Sequence, residues 1–270
     1  IISDDQGYAD VGFHGSKEIR TPNIDRIANN GVIFSDGYVS YAVCSPSRAG
    51  LITGRYQNRF GYSRNILLTP KDSTMGLPLS EQTLPDVLKE ANYKTKAIGK
   101  WHLGAHESLV PQKRGFDEFY GFVIGGHRYF PKDLTLNDLT EARSQMDGYI
   151  TKIFDNGKRV DISKYLTEEL SDNAVKFIDE NSENPFFVYL SYNAPHTPLQ
   201  ATKKDLDRNM HIKGEKRRTY AAMVTSLDDG VGLILDKLVE KNISDNTIVV
   251  FFSDNGGVEW YNHSDNGILR

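Results

Sequence analysis

The 270-residue chain predicts an α/β fold: a large, mostly parallel central sheet with helices on both faces. Three observations carry that prediction. Apolar runs of strand length alternate with stretches whose apolar residues recur at helical spacing. The run Thr247-Ile248-Val249-Val250-Phe251-Phe252 is apolar almost throughout, as in a strand covered on both faces. Four predicted strand ends carry unusual polar groups, namely Asp4-Asp5, Lys100 with His102, His196, and Asp254-Asn255. The carboxyl ends of parallel strands converge on one edge of a sheet, so these groups are candidates for one site. With no internal repeat and no low-complexity linker, the pattern reads as one layered structure.

In chain order, Ile1-Ile2 reads as the end of a buried strand, followed by a loop in which Asp4 and Asp5 are either hard oxygen ligands for a cation or a polar turn. Thr21 is placed to cap a short helix with Pro22 at its first position and Gly31 as its stop. Residues 32–38 read as a strand that leads to Cys44. There the sequence Cys44-Ser45-Pro46-Ser47-Arg48 predicts a helix start, with Ser45 as N-cap and Pro46 at the first position. Arg48 falls four residues after Cys44, so both can face one spot. Free N–H groups, the positive end of a helix dipole and a guanidinium fork suit a tetrahedral oxyanion.

Residues 55–82 are polar and punctuated by Gly and Pro, a long surface excursion. Residues 83–91 show helical spacing and 93–98 a strand, which ends in Gly99-Lys100-Trp101-His102-Leu103-Gly104. On an extended segment Lys100 and His102 point the same way. From residue 115 through Lys164 there is little periodicity, so this region reads as an insertion rimming the site. Within it His127, Arg128 and Tyr129 are either substrate contacts or loop packing.

Leu166, Leu170, Ala174, Phe177 and Ile178 define a second amphipathic helix, closed by Asn184-Pro185. Residues 186–192 form a buried strand that delivers His196, flanked by Pro195 and Pro198. A third helix carries Tyr220, Met223, Val224, Leu227, Val231, Leu235 and Leu238, with Gly230 and Gly232 admitting a neighbouring backbone.

Composition bounds the function more loosely. A net charge of -4 argues against a nucleic-acid binder, and the basic run at residues 213–218 reads as a solvated helix start. No apolar run approaches the ~18 residues of a membrane span. Cys44 is the only cysteine, so it forms no internal disulfide; it is either a small buried hydrophobe or a reactive group, and its Pro, Ser and Arg neighbours favour the latter.

Taken together, these blocks resemble the type I sulfatase family of the alkaline-phosphatase-like superfamily. The resemblance runs from Asp4-Asp5 through Cys44-x-Pro46-Ser47-Arg48 with its Thr53-Gly54-Arg55 extension, Gly99-Lys100-Trp101-His102-Leu103-Gly104 and Pro195-His196-Thr197-Pro198 to Ser253-Asp254-Asn255-Gly256. It implies that Cys44 is the precursor of a formylglycine, installed by a maturation enzyme. One hydroxyl of the aldehyde hydrate attacks sulfur; the other then collapses to the aldehyde and expels sulfate. It also implies a calcium ion, with magnesium as the lesser candidate, held by Asp4, Asp5, Asp254, Asn255 and the oxidised Cys44. Arg48 and Lys100 would hold the hydrate and sulfate charge, His102 would take a proton during sulfate release, and His196 would contact sulfate and protonate the leaving oxygen.

The family pattern has a further Lys after a segment like residues 266–270 and a smaller C-terminal subdomain. The 270 residues are therefore expected to be an N-terminal catalytic domain clipped at both ends, folding poorly and nearly inactive alone. The expected substrate is a sulfated saccharide, shaped for by residues 55–82 and 115–164, and the expected compartment is periplasmic or secreted, or lysosomal in a eukaryote. Two alternatives stand beside this: a phosphonate or phosphate monoester hydrolase of the same superfamily, and an inactive relic that binds sulfated glycans.

Overall fold

A computed structural model describes residues 1–269; the sequence segment 266–270 therefore ends, at Arg270, outside the described residues. The strands are β1 (Ile2–Ser3), β2 (Lys94–Lys100), β3 (Glu118–Phe122), β4 (Ile153–Asp155), β5 (Lys158–Val160), β6 (Phe186–Ser191) and β7 (Phe252–Ser253). They form one sheet in the order β5-β4-β3-β2-β6-β1-β7. The neighbours from β3 through β7 pair in parallel, while β4 pairs antiparallel with both β3 and β5. The chain is thus a mostly parallel α/β structure, and the aperiodic region 115–164 is not a mere rim. It supplies β3, β4 and β5, strands of three to five residues that are too short to show periodicity.

The helices are α1 (Pro22–Asn29), α2 (Cys44–Thr53), α3 (Leu84–Glu90), α4 (Leu166–Asn181), α5 (Lys203–Arg208), α6 (Glu215–Glu240) and α7 (Glu259–Asn262). The predicted apolar stripes account for the two long ones. Leu166, Leu170, Ala174, Phe177 and Ile178 of α4 are buried, and so are Tyr220, Met223, Val224, Leu227 and Val231 of α6. The two helices pack together, and α4 lies on β2, β3 and β6.

Several local expectations yield to tertiary partners. Thr21 makes no cap bond to α1; the carboxylate of Asp228, on α6, accepts from the N–H groups of Asn23 and Ile24 instead. Helix α2 begins at Cys44 with Val43 at the cap, so Ser45 and Pro46 lie inside its first turn. Ser45 does not cap because its hydroxyl donates to the His102 carbonyl and its N–H is taken by Oδ1 of Asn65. At Gly230 and Gly232 it is side chains that approach, Ser171 and Tyr192 at the first and Asn23 at the second. The basic run at 213–218 is not simply solvated, since Arg217 forms a 2.7 Å ion pair with buried Asp10.

Two predicted strands are largely missing. Residues 32–38 form no strand, and Phe34 is 77% exposed. The apolar run 247–252 joins the sheet only at its end, as β7, with Ile248 92% exposed. Strand geometry requires ladder partners. The amine of Ile1 donates to the Val250 carbonyl at 2.7 Å, but upstream of that contact residues 247–249 run along a groove of about 740 Å³. Phe186, Phe187 and Val188 of β6 border the same groove, because β6 meets β1 only at Ser191.

Candidate functional site

Strands β2, β6, β1 and β7 are neighbours and parallel, so their carboxyl ends deliver Lys100, the 193–198 loop, Asp4-Asp5 and Asp254-Asn255 to one edge. The first turn of α2 brings Cys44 to the same place. Its Sγ lies 3.6 Å from Oδ1 of Asp4 and 3.7 Å from Oδ1 of Asp5. Asp4, Asp5, Asp254 and Cys44 each offer an atom within 4.8 Å of the others, and Asp4, Cys44 and His196 form a second, overlapping set.

Two buried cations hold these carboxylates. Nζ of Lys100 is 2.6 Å from Oδ2 of Asp4. Arg48 grips Asp254 through Nε at 2.9 Å and Nη2 at 2.8 Å, with Asp4 Oδ1 3.7 Å from Nη2. Its Nη1 donates to the Lys100 carbonyl at 3.1 Å and to the Ser191 hydroxyl. Arg48, Lys100, Asp4 and Asp254 are almost wholly inaccessible, and burial of a charge is tolerable only with such pairing. The third carboxylate, Asp5, adopts φ 55° and is only partly buried; Nδ2 of Asn255 donates to it at 2.5 Å.

The electrostatics follow from burial and these neighbours. Burial pushes the Cys44 thiol well above its usual range; Lys100 opposes this, while Asp254, Asp4 and Asp5 reinforce it, so the group is a thiol and not a thiolate. Burial, then the charges of Lys100 and Arg48, push His102 well below the ordinary histidine range, so its ring is neutral. Burial and the nearby Asp4 raise Asp254, with Arg48 and Lys100 pulling the other way. Burial alone would lower Lys100, but the Asp4 carboxylate outweighs it and keeps the amine charged.

His102 reaches the cluster by a route that alternation does not describe. The chain leaves β2 at Lys100 and turns through a left-handed φ of 54° at His102, whose buried Nδ1 has no hydrogen-bond partner among the described residues. His196 lies 2.6 Å through Nδ1 from the Thr197 carbonyl, which leaves Nε2, 3.6 Å from Oδ2 of Asp5, as its free nitrogen. Every residue singled out for catalysis or metal binding thus sits in one cluster. His127 and Tyr129 do not line the cavity: both are fully buried. His127 contacts the carbonyls of Arg128 and Thr151, and the Tyr129 hydroxyl reaches the carbonyls of Asn193 and His196, bracing the loop that carries His196. Arg128 is exposed.

Residue chemistry and spacing assign no individual role to Ser47, Ser191, Asn65 or Tyr149. Ser47 donates to the Asp254 carbonyl at 2.5 Å, and Ser191 supports Arg48. A Ser closing the apolar strand 186–190 was the available signal for Ser191. Above Cys44 opens a cavity of about 200 Å³ bordered by Asn65, Leu67, Leu68, His102, Met146, Tyr149 and His196, among others.

The Sulfatase family matches residues 1–267 of this chain. Arylsulfatase J of Mus musculus is 35% identical over 263 residues, covering 95% of this chain and 42% of that protein. N-acetylgalactosamine-6-sulfatase of Homo sapiens is also 35% identical, covering 95% of this chain and 49% of its own length. This chain therefore spans about half the length of the curated relatives it matches. Among solved structures, Ps i-CgsB superimposes with a TM-score of 0.92 at 45% identity, over 100% of this chain and 60% of that one. The same protein in complex with k-i-k-neocarrahexaose gives 0.91 at 45% identity, over 98% and 59%.

Proposed function

This chain belongs to the sulfatase family, and from that membership we propose that it is the catalytic part of a sulfuric ester hydrolase that releases inorganic sulfate from a sulfated saccharide. The observation that carries the reading is the meeting of Asp4, Asp5, Asp254, Arg48 and Lys100 around Cys44. The saccharide follows from the relatives, one named for an N-acetylgalactosamine 6-sulfate and one solved with an oligosaccharide.

In this reading Cys44 is the precursor of formylglycine, and its Sγ stands where an oxygen of the modified residue would lie. The raised thiol pKa supports a precursor role, since a buried thiol kept protonated among carboxylates is a poor nucleophile. A calcium ion fits the residues present. Oδ1 of Asn255 is buried and without a partner among the described residues, while its Nδ2 donates to Asp5 and the Gly256 carbonyl. Three carboxylates face only two buried cations, and the donor set with an oxidised Cys44 is all hard oxygen, which suits calcium, or less well magnesium, over zinc. Bound there, the ion would polarise a sulfate oxygen and favour the nucleophilic alkoxide.

The chain's own groups have distinct tasks. Arg48 and Lys100 orient the carboxylates and supply positive charge that faces the sulfuryl group. Neutral His102 accepts the proton given up during sulfate release, through its unpartnered Nδ1. His196, oriented by the Thr197 carbonyl, contacts sulfate and delivers a proton to the leaving oxygen from Nε2. A maturation enzyme acting on Cys44 and a periplasmic or secreted location, lysosomal in a eukaryote, belong to the same reading. Among the described residues no helix is long and apolar enough to cross a membrane.

The test is 4-nitrophenol release from 4-nitrophenyl sulfate beside 4-nitrophenol release from the matching phosphonate monoester, using the full-length protein matured with its modifying enzyme and calcium. Preference for the sulfate is expected; preference for the phosphonate would overturn the assignment. A peptide mass around Cys44 about 18 Da below the unmodified value is expected from thiol-to-aldehyde conversion, and unmodified Cys44 in active protein would overturn the formylglycine.

A further inference from the structure

The geometry points to Tyr149 and Asn65 as the residues that read the saccharide on the leaving side of the scissile bond, an inference that rests on the sulfatase reading. Both border the cavity above Cys44, 84 residues apart in sequence, Asn65 from a loop and Tyr149 from a short 3-10 helix at Met146–Ile150, and the Asn65 Nδ2 and Tyr149 hydroxyl have no partner among the described residues. For Asn65 the reason is specific. Its Oδ1 accepts the Ser45 N–H at 2.9 Å, satisfying one of the free donors of the first turn of α2. That bond fixes which way round the amide sits, so the outward atom is the Nδ2 donor.

Tyr149 is held from the other side. Its carbonyl accepts the Arg128 N–H at 2.9 Å, and its ring lies 6.4 Å from that of His196, centroid to centroid. Gly126 makes room for it: a Cβ there would come within 2.9 Å of the Tyr149 hydroxyl and 2.8 Å of its ring. The 6.4 Å ring contact sets Tyr149 beside His196, with which it borders the cavity above Cys44. The same cavity is bordered by apolar Leu67, Leu68, Ile124 and Met146, and by Gln145, whose Oε1 accepts the Leu68 N–H. A pyranose offers the complementary surface, an apolar C–H face edged by hydroxyls.

Sites built on hydrogen bonds to a ligand hydroxyl discriminate strongly against ligands that lack it. An aryl sulfate carries no such hydroxyl next to its ester. The Tyr149→Phe variant keeps the ring and its contact with His196; Asn65→Asp keeps the acceptor for Ser45 but removes the outward donor. In the full-length matured enzyme, Tyr149→Phe is expected to lower kcat/KM on N-acetylgalactosamine 6-sulfate or on k-i-k-neocarrahexaose about tenfold, while turnover of 4-nitrophenyl sulfate changes less than twofold; Asn65→Asp, which also adds a negative charge beside the site, is expected to lose on both esters but several-fold more on the saccharide. Calorimetric titration with the desulfated saccharide, which needs no turnover, is expected to show the same tenfold weakening for Tyr149→Phe. Equal losses on saccharide and aryl sulfate would assign the two residues to the sulfate site or to the fold and overturn the inference, as would unchanged saccharide kinetics. Wild-type enzyme that releases no sulfate from any of these esters would instead overturn the proposed function.

Discussion

The floor and the mouth of the site are built on opposite principles. At the floor, Asp4, Arg48, Lys100 and Asp254 are sealed from water, and each charge is met by an opposite charge within 2.6 to 2.9 Å. At the mouth, Leu67 and Met146 are more than half exposed, and Asn65 and Tyr149 border the cavity with polar groups that no opposite charge meets. Low dielectric makes floor charges strong and their loss severe, whereas mouth side chains trade one contact with water for another. On the proposed function, the floor therefore tolerates little substitution, whereas the mouth can change while the floor is kept.

The largest expected effect breaks the floor. Arg48→Ala leaves Asp254 and part of Asp4 uncompensated in the interior, a change worth about 3–5 kcal/mol of stability, and it should abolish measurable sulfate release. The midpoint of urea unfolding reads the first part and a sulfate assay the second. Stability loss as small as that of a mouth variant would erase the distinction.

A buried carboxylate that meets no cation among the described residues extends the contrast. Asp228 accepts N–H bonds at the start of α1, and burial raises it to about 6 despite those bonds. The sign is fixed by linkage. Between the unfolded value and about 6 the folded state holds the extra proton, so its stability falls as pH rises through that window and is largest below it. Relative to Asp228→Asn, which does not titrate there, wild type should lose up to about 3 kcal/mol between pH 4 and pH 7. Thermal melts of both proteins across that range would show it, and parallel pH profiles would refute it.

The smallest effect belongs to the mouth. Met146→Ala, at a side chain 61% exposed, should change stability by no more than about 0.5 kcal/mol. It should still raise KM for a sulfated saccharide, because Met146 is part of the apolar wall. A large stability loss there would mean that the mouth is built like the floor.

Much of this was legible from the sequence for a physical reason. The floor residues lie in short segments, each at the end of a strand or the start of a helix, and strand ends of a parallel sheet must share an edge. Helices α4 and α6 were readable because their apolar stripes are periodic and long. What failed were positions whose state depends on a distant partner. Thr21 has the chemistry of a cap, but Asp228, 207 residues away, does the capping. Residues 247–249 have the composition of a buried strand, yet run beside a groove because the sheet offers them no ladder there.

From its sequence alone this chain therefore determined an α/β layer structure and the chemical inventory of one site: carboxylates, a guanidinium, an amine, two imidazoles and a single thiol. Local spacing and residue chemistry suffice for that. Tertiary structure alone decided which atoms remain free. Asn65 could be recognised as an outward donor only once Ser45 had claimed its oxygen, and Asn255 as an unpartnered oxygen only once Asp5 and Gly256 had claimed its nitrogen. Hydrogen-bonding capacity is written in the residue type, but its remainder depends on neighbours brought together by the fold.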